Sequence, residues 1–313
     1  MIFVKNRASM LAAVSMACLS LAACGQGGAE GESKAKSNPL ENIMGAAQGV
    51  DTSAKFNAYV EGYNTLISTF GVAHQYDRYQ KLNIPGASAS ADLSFPANIS
   101  LFERAFAKLK EGRAATGDKS TEAADAAADK LIAAGDALIA KSKELEPYYA
   151  SKAYRDDNLA KGKAAHAELV AAYDGLLAGL KELDAALSTL SRAESAKRIA
   201  DLRKAGEDNA ANLIDAASQA ELLVDKALDG KTAEADALLP ALEAAIAKAR
   251  ESQAKMDAGD INKMHYTLTL TALTDVVGDF RNLKQSPSDS NKEALQRAYN
   301  ESVTAMNRAN FPG

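Results

Sequence analysis

Apolar residues recur at spacings of three and four along most of the chain, the mark of helices that each bury one stripe. Phe56, Tyr59, Tyr63, Leu66, Phe70 and Ala73 trace the first such stripe, with Tyr76 and Tyr79 near its end. Leu131, Leu138 and Leu145 repeat in steps of seven. The most regular run is Leu159, Gly162, His166, Leu169, Tyr173, Leu176, Leu180, Leu183, Leu187 and Leu190. It alternates three and four, a repeat of 3.5 residues that favours long helices wound together. The phase then shifts to Ile199, Leu202, Gly206, Asn209, Leu213, Ala216, Ala220 and Leu223. A break or stutter is expected near Ser191, which stands in capping-box spacing with Glu194. Gly230 with Thr232 and Gly259 with Asp260 then punctuate two further helical stripes, and Ser290 with Glu293 opens a last one through Tyr299. No alternating apolar and polar run follows the leader. The expected fold is an all-α bundle of about seven or eight helices, several long and coiled-coil-like.

The interruptions are as informative as the stripes. Lys81 to Ala97, KLNIPGASASADLSFPA, carries two prolines and a glycine and reads as a long loop of the kind that serves as a lid or binding loop. Ser100 and Glu103 have capping-box spacing before a short helix through Phe102, Phe106 and Leu109. A helix from about Ser120 to Leu145 is expected to stop before Pro147. Glu146 to His166 then gathers Tyr148, Tyr149, Tyr154, Asp156, Asp157 and a histidine into one junction, which makes it the first place to look for a site.

The first residues change the picture from a helical bundle to an exported one. Lys5 and Arg7 precede an apolar run of small residues, Ala8 to Ala23, shorter than the roughly 20 apolar residues a membrane span needs. Leu21-Ala22-Ala23-Cys24-Gly25 resembles the lipobox of bacterial lipoproteins, which implies lipidation at Cys24. The expected organisation is a signal peptide at 1–23, a lipidated flexible linker at 24–50 and an all-helical domain at 51–313. Gly25 in place of aspartate implies, by the same resemblance, the periplasmic face of the outer membrane. The linker is rich in Gly, Ser, Glu and Lys, and a coil of its length reaches roughly 25–30 Å. Cys18, the other cysteine, lies inside the leader, so a mature form would hold no disulfide.

Composition narrows the chemistry. Hydrophobic residues make up 47% but aromatics only 6%, so alanine and leucine carry the core. The net charge is −5, and without a basic stripe nucleic acid is excluded as a partner. His166 and Glu168 stand two apart, whereas two metal ligands on one helix need three or four. No HExxH, CxxC, nucleophile elbow or phosphate-binding glycine pattern is present, so no metal, no cofactor and no enzymatic activity are expected. A hydrolase using Asp156 and Asp157 is the weakest reading.

Two non-catalytic readings remain. One is a structural or partner-binding protein of the envelope, held at the membrane by its lipid, with an envelope protein or the cell wall as partner. The other is a small-molecule or metal-binding lipoprotein. Its pocket would be lined by Tyr59, Tyr63, Tyr148, Tyr149 and Tyr154, with Asp156 and His166 as polar anchors. Tyrosines at helical spacing are also the usual content of a core.

Asn57, Tyr59, Tyr63 and Asn64 in FNAYVEGYN, then Tyr148-Tyr149, Tyr154, Asp156-Asp157 and Gly162-Lys163, together with the lipobox, carry a resemblance to the YiiG-like bacterial lipoproteins. It extends from about Asp51 to the end of the chain. The resemblance implies an envelope lipoprotein and adds no catalytic residue.

Overall fold

A computed structural model describes residues 52–96, 98–257 and 261–308. The leader, the linker and Cys24 lie outside the described residues, as does the Gly259-Asp260 stop. Every regular element among the described residues is a helix, so the chain is all-α. Of the described residues, those up to Leu190 fall in one compact unit and those from Ser191 onward in another.

The first unit holds α1 (Ser53–Ile67), α2 (Val72–Lys81), α3 (Ile99–Ala114), α4 (Glu122–Ala150) and most of α5 (Ala160–Ala205). The first apolar stripe does not form one helix. It breaks between α1 and α2 at Gly71, where a Cβ would stand 2.0 Å from the Leu66 carbonyl oxygen, so the chain can turn there only with glycine. α1 and α3 run antiparallel: the backbone of Gly62 meets Leu109, and that of Gly112 meets Tyr59. α4 and α5 are likewise antiparallel, since Gly179 packs on Leu131 and Gly175 on Ala134, while Lys130 pairs with Glu182 and Lys141 with Glu168.

The heptad positions of α4 and α5 form this core. Leu131, Leu138, Leu145, Leu176, Leu180, Leu183 and Leu187 are all fully buried, each contributing roughly 1.5–3 kcal/mol of gross burial energy. α4 continues past the expected stop, with Pro147 in its last turn. A proline near a helix end forgoes only one backbone bond. Its carbonyl is used twice, by the Ser151 N–H at 3.0 Å and the Ser151 hydroxyl at 2.8 Å. The Ser100–Glu103 box does not form; α3 starts at Ile99 without a side-chain cap, and Glu103 pairs with Lys143 at 2.6 Å instead.

The second unit contains the end of α5 with α6 (Asp208–Leu228), α7 (Thr232–Lys255), α8 (Ile261–Gln285) and α9 (Asp289–Arg308). α5 does not break at Ser191. No glycine or proline interrupts its hydrogen bonds there, and a shift of heptad phase only rotates the buried stripe. The division between the two units falls at that shift. The helix ends at Gly206, whose φ of 81° closes a pair of C-terminal bonds, Glu207 N–H to Leu202 C=O and Gly206 N–H to Arg203 C=O. Gly230, φ 77°, ends α6 in the same way. α9 is capped by Ser288 rather than Ser290, its hydroxyl accepting the Asn291 N–H at 3.2 Å.

Candidate functional site

The junction between α4 and α5 is built on unusual backbone. Lys152, Asn158 and Leu159 all have positive φ, at 59°, 52° and 64°. Such values are strained for side chains of this size and persist only where surrounding contacts enforce them. Leu159 is fully buried and Tyr154, in the short 3₁₀ turn Ala153–Arg155, is too. Asp157 accepts the Lys161 N–H at 3.0 Å, so it caps α5, and accepts the Tyr148 hydroxyl at 2.7 Å. These two bonds, the backbone one first, hold its carboxyl below the usual carboxylate range. Burial first, and then Asp157, push the Tyr148 hydroxyl up to about 12. Tyr149 reaches about 12 for the same two reasons in the same order. Both phenols stay neutral, and Tyr148 serves as a hydrogen-bond donor.

Around this junction the aromatic rings form a continuous cluster. Tyr149 contacts Tyr148 at 5.1 Å and Tyr154 at 5.7 Å between centroids. Phe95, from the loop before α3, stacks on Tyr149 at 5.3 Å and meets Tyr79 of α2 edge-on at 6.1 Å. Tyr79 shares a hydrogen bond of 3.0 Å with His166 Nδ1 and lies beside Tyr173, which stacks on Tyr76 at 4.9 Å. Gly162 makes room for the Tyr149 hydroxyl, because a Cβ there would stand 2.5 Å from it. The Tyr173 hydroxyl is buried with no hydrogen-bond partner among the described residues, and burial raises it.

Of the expected site residues, Tyr148, Tyr149, Tyr154 and His166 therefore meet in one cluster. Asp156 is exposed at its edge, and the neighbouring Asp157 makes the contacts. Tyr59 lies elsewhere, and Tyr63 is buried one turn beyond it on α1. Tyr59 donates to Asp125 near the start of α4, and Tyr148 stands 23 residues further along that helix, about 35 Å away at about 1.5 Å per residue. All five tyrosines are buried against neighbouring side chains, with at most 8% of any one exposed.

Tyr59 belongs to a charged knot not anticipated from sequence. Lys55, 2% exposed, pairs with Asp125 at 2.7 Å, Arg113 stands 3.5 Å from the other Asp125 oxygen, and Arg113 also pairs with Asp129 at 2.7 Å. Burial first, then the Asp125 bond, raise the Tyr59 hydroxyl far above its ordinary value. The available signal was Lys55 itself, a lysine one helical turn before Tyr59 on the stripe. In the second unit Arg192 pairs with Asp225 at 2.5 Å, and Tyr299 is raised well above 10 by burial and then by Glu221 and Asp225. Here the signal was a glutamate, Glu221, amid the buried alanines and leucines of α6.

No group of three or more His, Cys, Asp or Glu among the described residues is arranged to hold a metal. No helix among them is long and apolar enough to cross a membrane. An open groove of about 370 Å³ lies between α8 and α9, lined by Asp275, Gly278, Asp279 and Arg297 among others.

The chain belongs to a family described as a protein of unknown function, DUF3829, whose model matches residues 51–308. Comparison with curated proteins and with solved structures gave no match.

Proposed function

We propose that this DUF3829 member is a lipid-anchored protein of the bacterial cell envelope, tethered through Cys24 on the periplasmic face of the outer membrane. Its helical region is a non-catalytic module that binds an envelope protein or the cell wall; the resemblance to YiiG-like lipoproteins bears on the envelope setting alone. The lipobox Leu21-Ala22-Ala23-Cys24-Gly25, placed after a basic and then an apolar stretch, carries the anchoring. What supports a binding role over catalysis is the use made of the reactive groups. The Tyr59, Tyr76, Tyr79, Tyr148 and Tyr154 hydroxyls and the Asp125 and Asp157 carboxylates are engaged in internal ties. The test is metabolic labelling with a fatty acid, paired with cross-linking in intact cells. Label that enters the chain and is lost in Cys24→Ala, with a recurrent envelope cross-link, is the expected result. Absence of label in the unmodified chain, or of any cross-link above background, sinks the reading.

A second reading, a small-molecule or metal-binding lipoprotein, draws on the gathering of Tyr148, Tyr149, Tyr154 and His166 into one aromatic cluster. Equilibrium dialysis of the purified chain against zinc would test its metal branch. Retention no greater than that of His166→Ala removes it.

A further inference from the structure

The loop before α3 crosses the aromatic cluster in a form that itself resembles a bound peptide. Residues 92–96 carry neither helix nor turn. Ala91, Leu93 and Phe95 are half-buried whereas Asp92 and Ser94 are exposed, the two-residue alternation of an extended strand lying on a surface. The inward positions all make contact. The Ala91 carbonyl accepts the Tyr154 hydroxyl at 3.1 Å, and the Leu93 N–H donates to the Tyr154 hydroxyl oxygen at 3.2 Å. The Phe95 ring lies 11° from parallel on Tyr149, with Tyr79 at its edge. Outward, Asp92 reaches Lys152 at 2.8 Å, and Lys152 is held in left-handed backbone.

The two sides of this contact differ in how firmly they are built. The receiving side is fixed: Tyr79, Tyr149 and Tyr154 are buried on α2, α4 and the 3₁₀ turn. The strap is held by one tyrosine hydroxyl, the half-buried Leu93 and Phe95, the buried Pro96 that anchors its end, and an ion pair whose Asp92 is 80% exposed, a kind of pair worth little in water. A single hydroxyl that satisfies both a carbonyl and an N–H two residues apart reads backbone, and the Tyr149 ring face with Tyr79 beside it reads one side chain.

We propose that Ala91–Pro96 occupies in cis a groove that takes an extended peptide from a partner, one with an acidic residue three positions before an aromatic one. The acidic residue pairs with Lys152, the backbone bridges Tyr154 and the aromatic ring stacks on Tyr149 in place of Phe95. This gives the partner-binding reading a site, and rests on that reading for its biological setting.

The experiment uses the full chain and a fluorescent peptide of the strap's own sequence, Ala-Asp-Leu-Ser-Phe-Pro. Phe95→Ala, which empties the ring position, is expected to bind the peptide at least about tenfold more tightly than the unmodified chain, whose strap competes. Replacing the peptide's phenylalanine or aspartate by alanine, or adding Tyr154→Phe to the protein, should each weaken binding several-fold. Asp92→Ala, which removes only the exposed pair, supplies the comparison if Phe95→Ala does not fold. Hydrogen exchange of the unmodified chain gives a second measurement: the Leu93 amide should exchange by local opening while amides of α4 and α5 stay protected. Equal binding by Phe95→Ala and the unmodified chain, indifference to the peptide's phenylalanine, or Leu93 protection equal to that of α4 would make the strap ordinary core. The synthetic peptide needs neither lipid nor native partner, so peptide binding without an envelope cross-link would fell the envelope reading and leave the groove standing.

Discussion

Gly135 sits in α4 under the ring of Phe106 from α3. A Cβ added there would stand 2.0 Å from Phe106 Cζ, with the two Cε atoms at 2.3 and 2.4 Å. Carbon atoms in ordinary contact are about 3.5–4.0 Å apart, so the ring would have to move by about 1.5 Å. Phe106 is 1% exposed, with little free space to move into. Two effects oppose each other in Gly135→Ala. Alanine in a helix interior gains roughly 0.5–1 kcal/mol over glycine. Overpacking a filled core costs typically about 1–3 kcal/mol, and a contact with a ring edge this close belongs at the upper end. A net loss of about 2 kcal/mol is expected. Gly175, on the exposed side of α5, supplies the control, because its Cβ would meet only Ala134 Cβ at 3.7 Å, an ordinary distance. Gly175→Ala should therefore stabilise by roughly 0.5–1 kcal/mol. Urea unfolding followed by circular dichroism reads both, and Phe106→Leu in the Gly135→Ala background should recover part of the loss. If Gly135→Ala stabilises as much as Gly175→Ala, Phe106 does not lie over α4 and this α3–α4 contact is wrong.

Three further outcomes follow from the same contacts. Tyr148, Tyr149 and Tyr266 each stand at about 12, against about 10 for an unfolded tyrosine, so the stability they confer is complete below pH 10 and is lost as pH climbs from about 10 to about 12. Phenolate absorbance during alkaline titration should show them ionising late and together with unfolding; three tyrosines ionising freely near 10 would contradict their burial. Lys55→Met leaves the Asp125 carboxylate with Arg113 and Tyr59 alone and should cost about 3 kcal/mol, the lower end for breaking a buried pair, with Lys55→Met/Asp125→Leu recovering most of it in thermal unfolding. Gly206→Ala meets nothing within 4 Å, so its cost is the backbone at φ 81° alone, about 1 kcal/mol, and a loss above about 3 kcal/mol in denaturant unfolding would point to a packing role the turn does not have.

The helical class and the buried stripes were legible because period is a local property: Leu176, Leu180, Leu183 and Leu187 announce their buried face whatever they pack against. Helix ends were less so. Ser191 and Glu194 match a capping box, yet a box acts only where the backbone has another reason to stop, and the stop came at Gly206, where positive φ is cheap. The site was half legible. Tyr148, Tyr149, Tyr154 and His166 are neighbours along the chain and stayed neighbours in space. Tyr59 and Tyr63 were grouped with them by residue type alone, and the length of α4 separates Tyr59 from them. Phe95 and Tyr79 join the cluster through a fold-back that no spacing encodes.

That fold-back gives the junction of α4 and α5 its meaning. A turn needed only to reverse the chain could be made with glycine and polar residues, as at Gly206 and Gly230. Here the chain holds Lys152, Asn158 and Leu159 in left-handed backbone, each at a cost of about 1 kcal/mol or more. The strain sets three groups in place: Lys152 toward Asp92, Asp157 onto the α5 terminus and Tyr148, and Leu159 into the core. Two of the three are local ties. The left-handed backbone at Lys152 ends α4, its N–H donating to the Tyr149 carbonyl at 3.1 Å. The Lys152–Asp92 pair is exposed and adds little stability of its own, so a turn residue alone would need no charge there, whereas recognition of an acidic residue would use it. Lys152→Gly separates the two accounts. It relieves the backbone and removes the charge, so a purely structural turn should lose less than about 1 kcal/mol in urea unfolding, while binding of the strap peptide to Phe95→Ala should fall several-fold. Undiminished peptide binding would return Lys152 to the status of an ordinary surface residue.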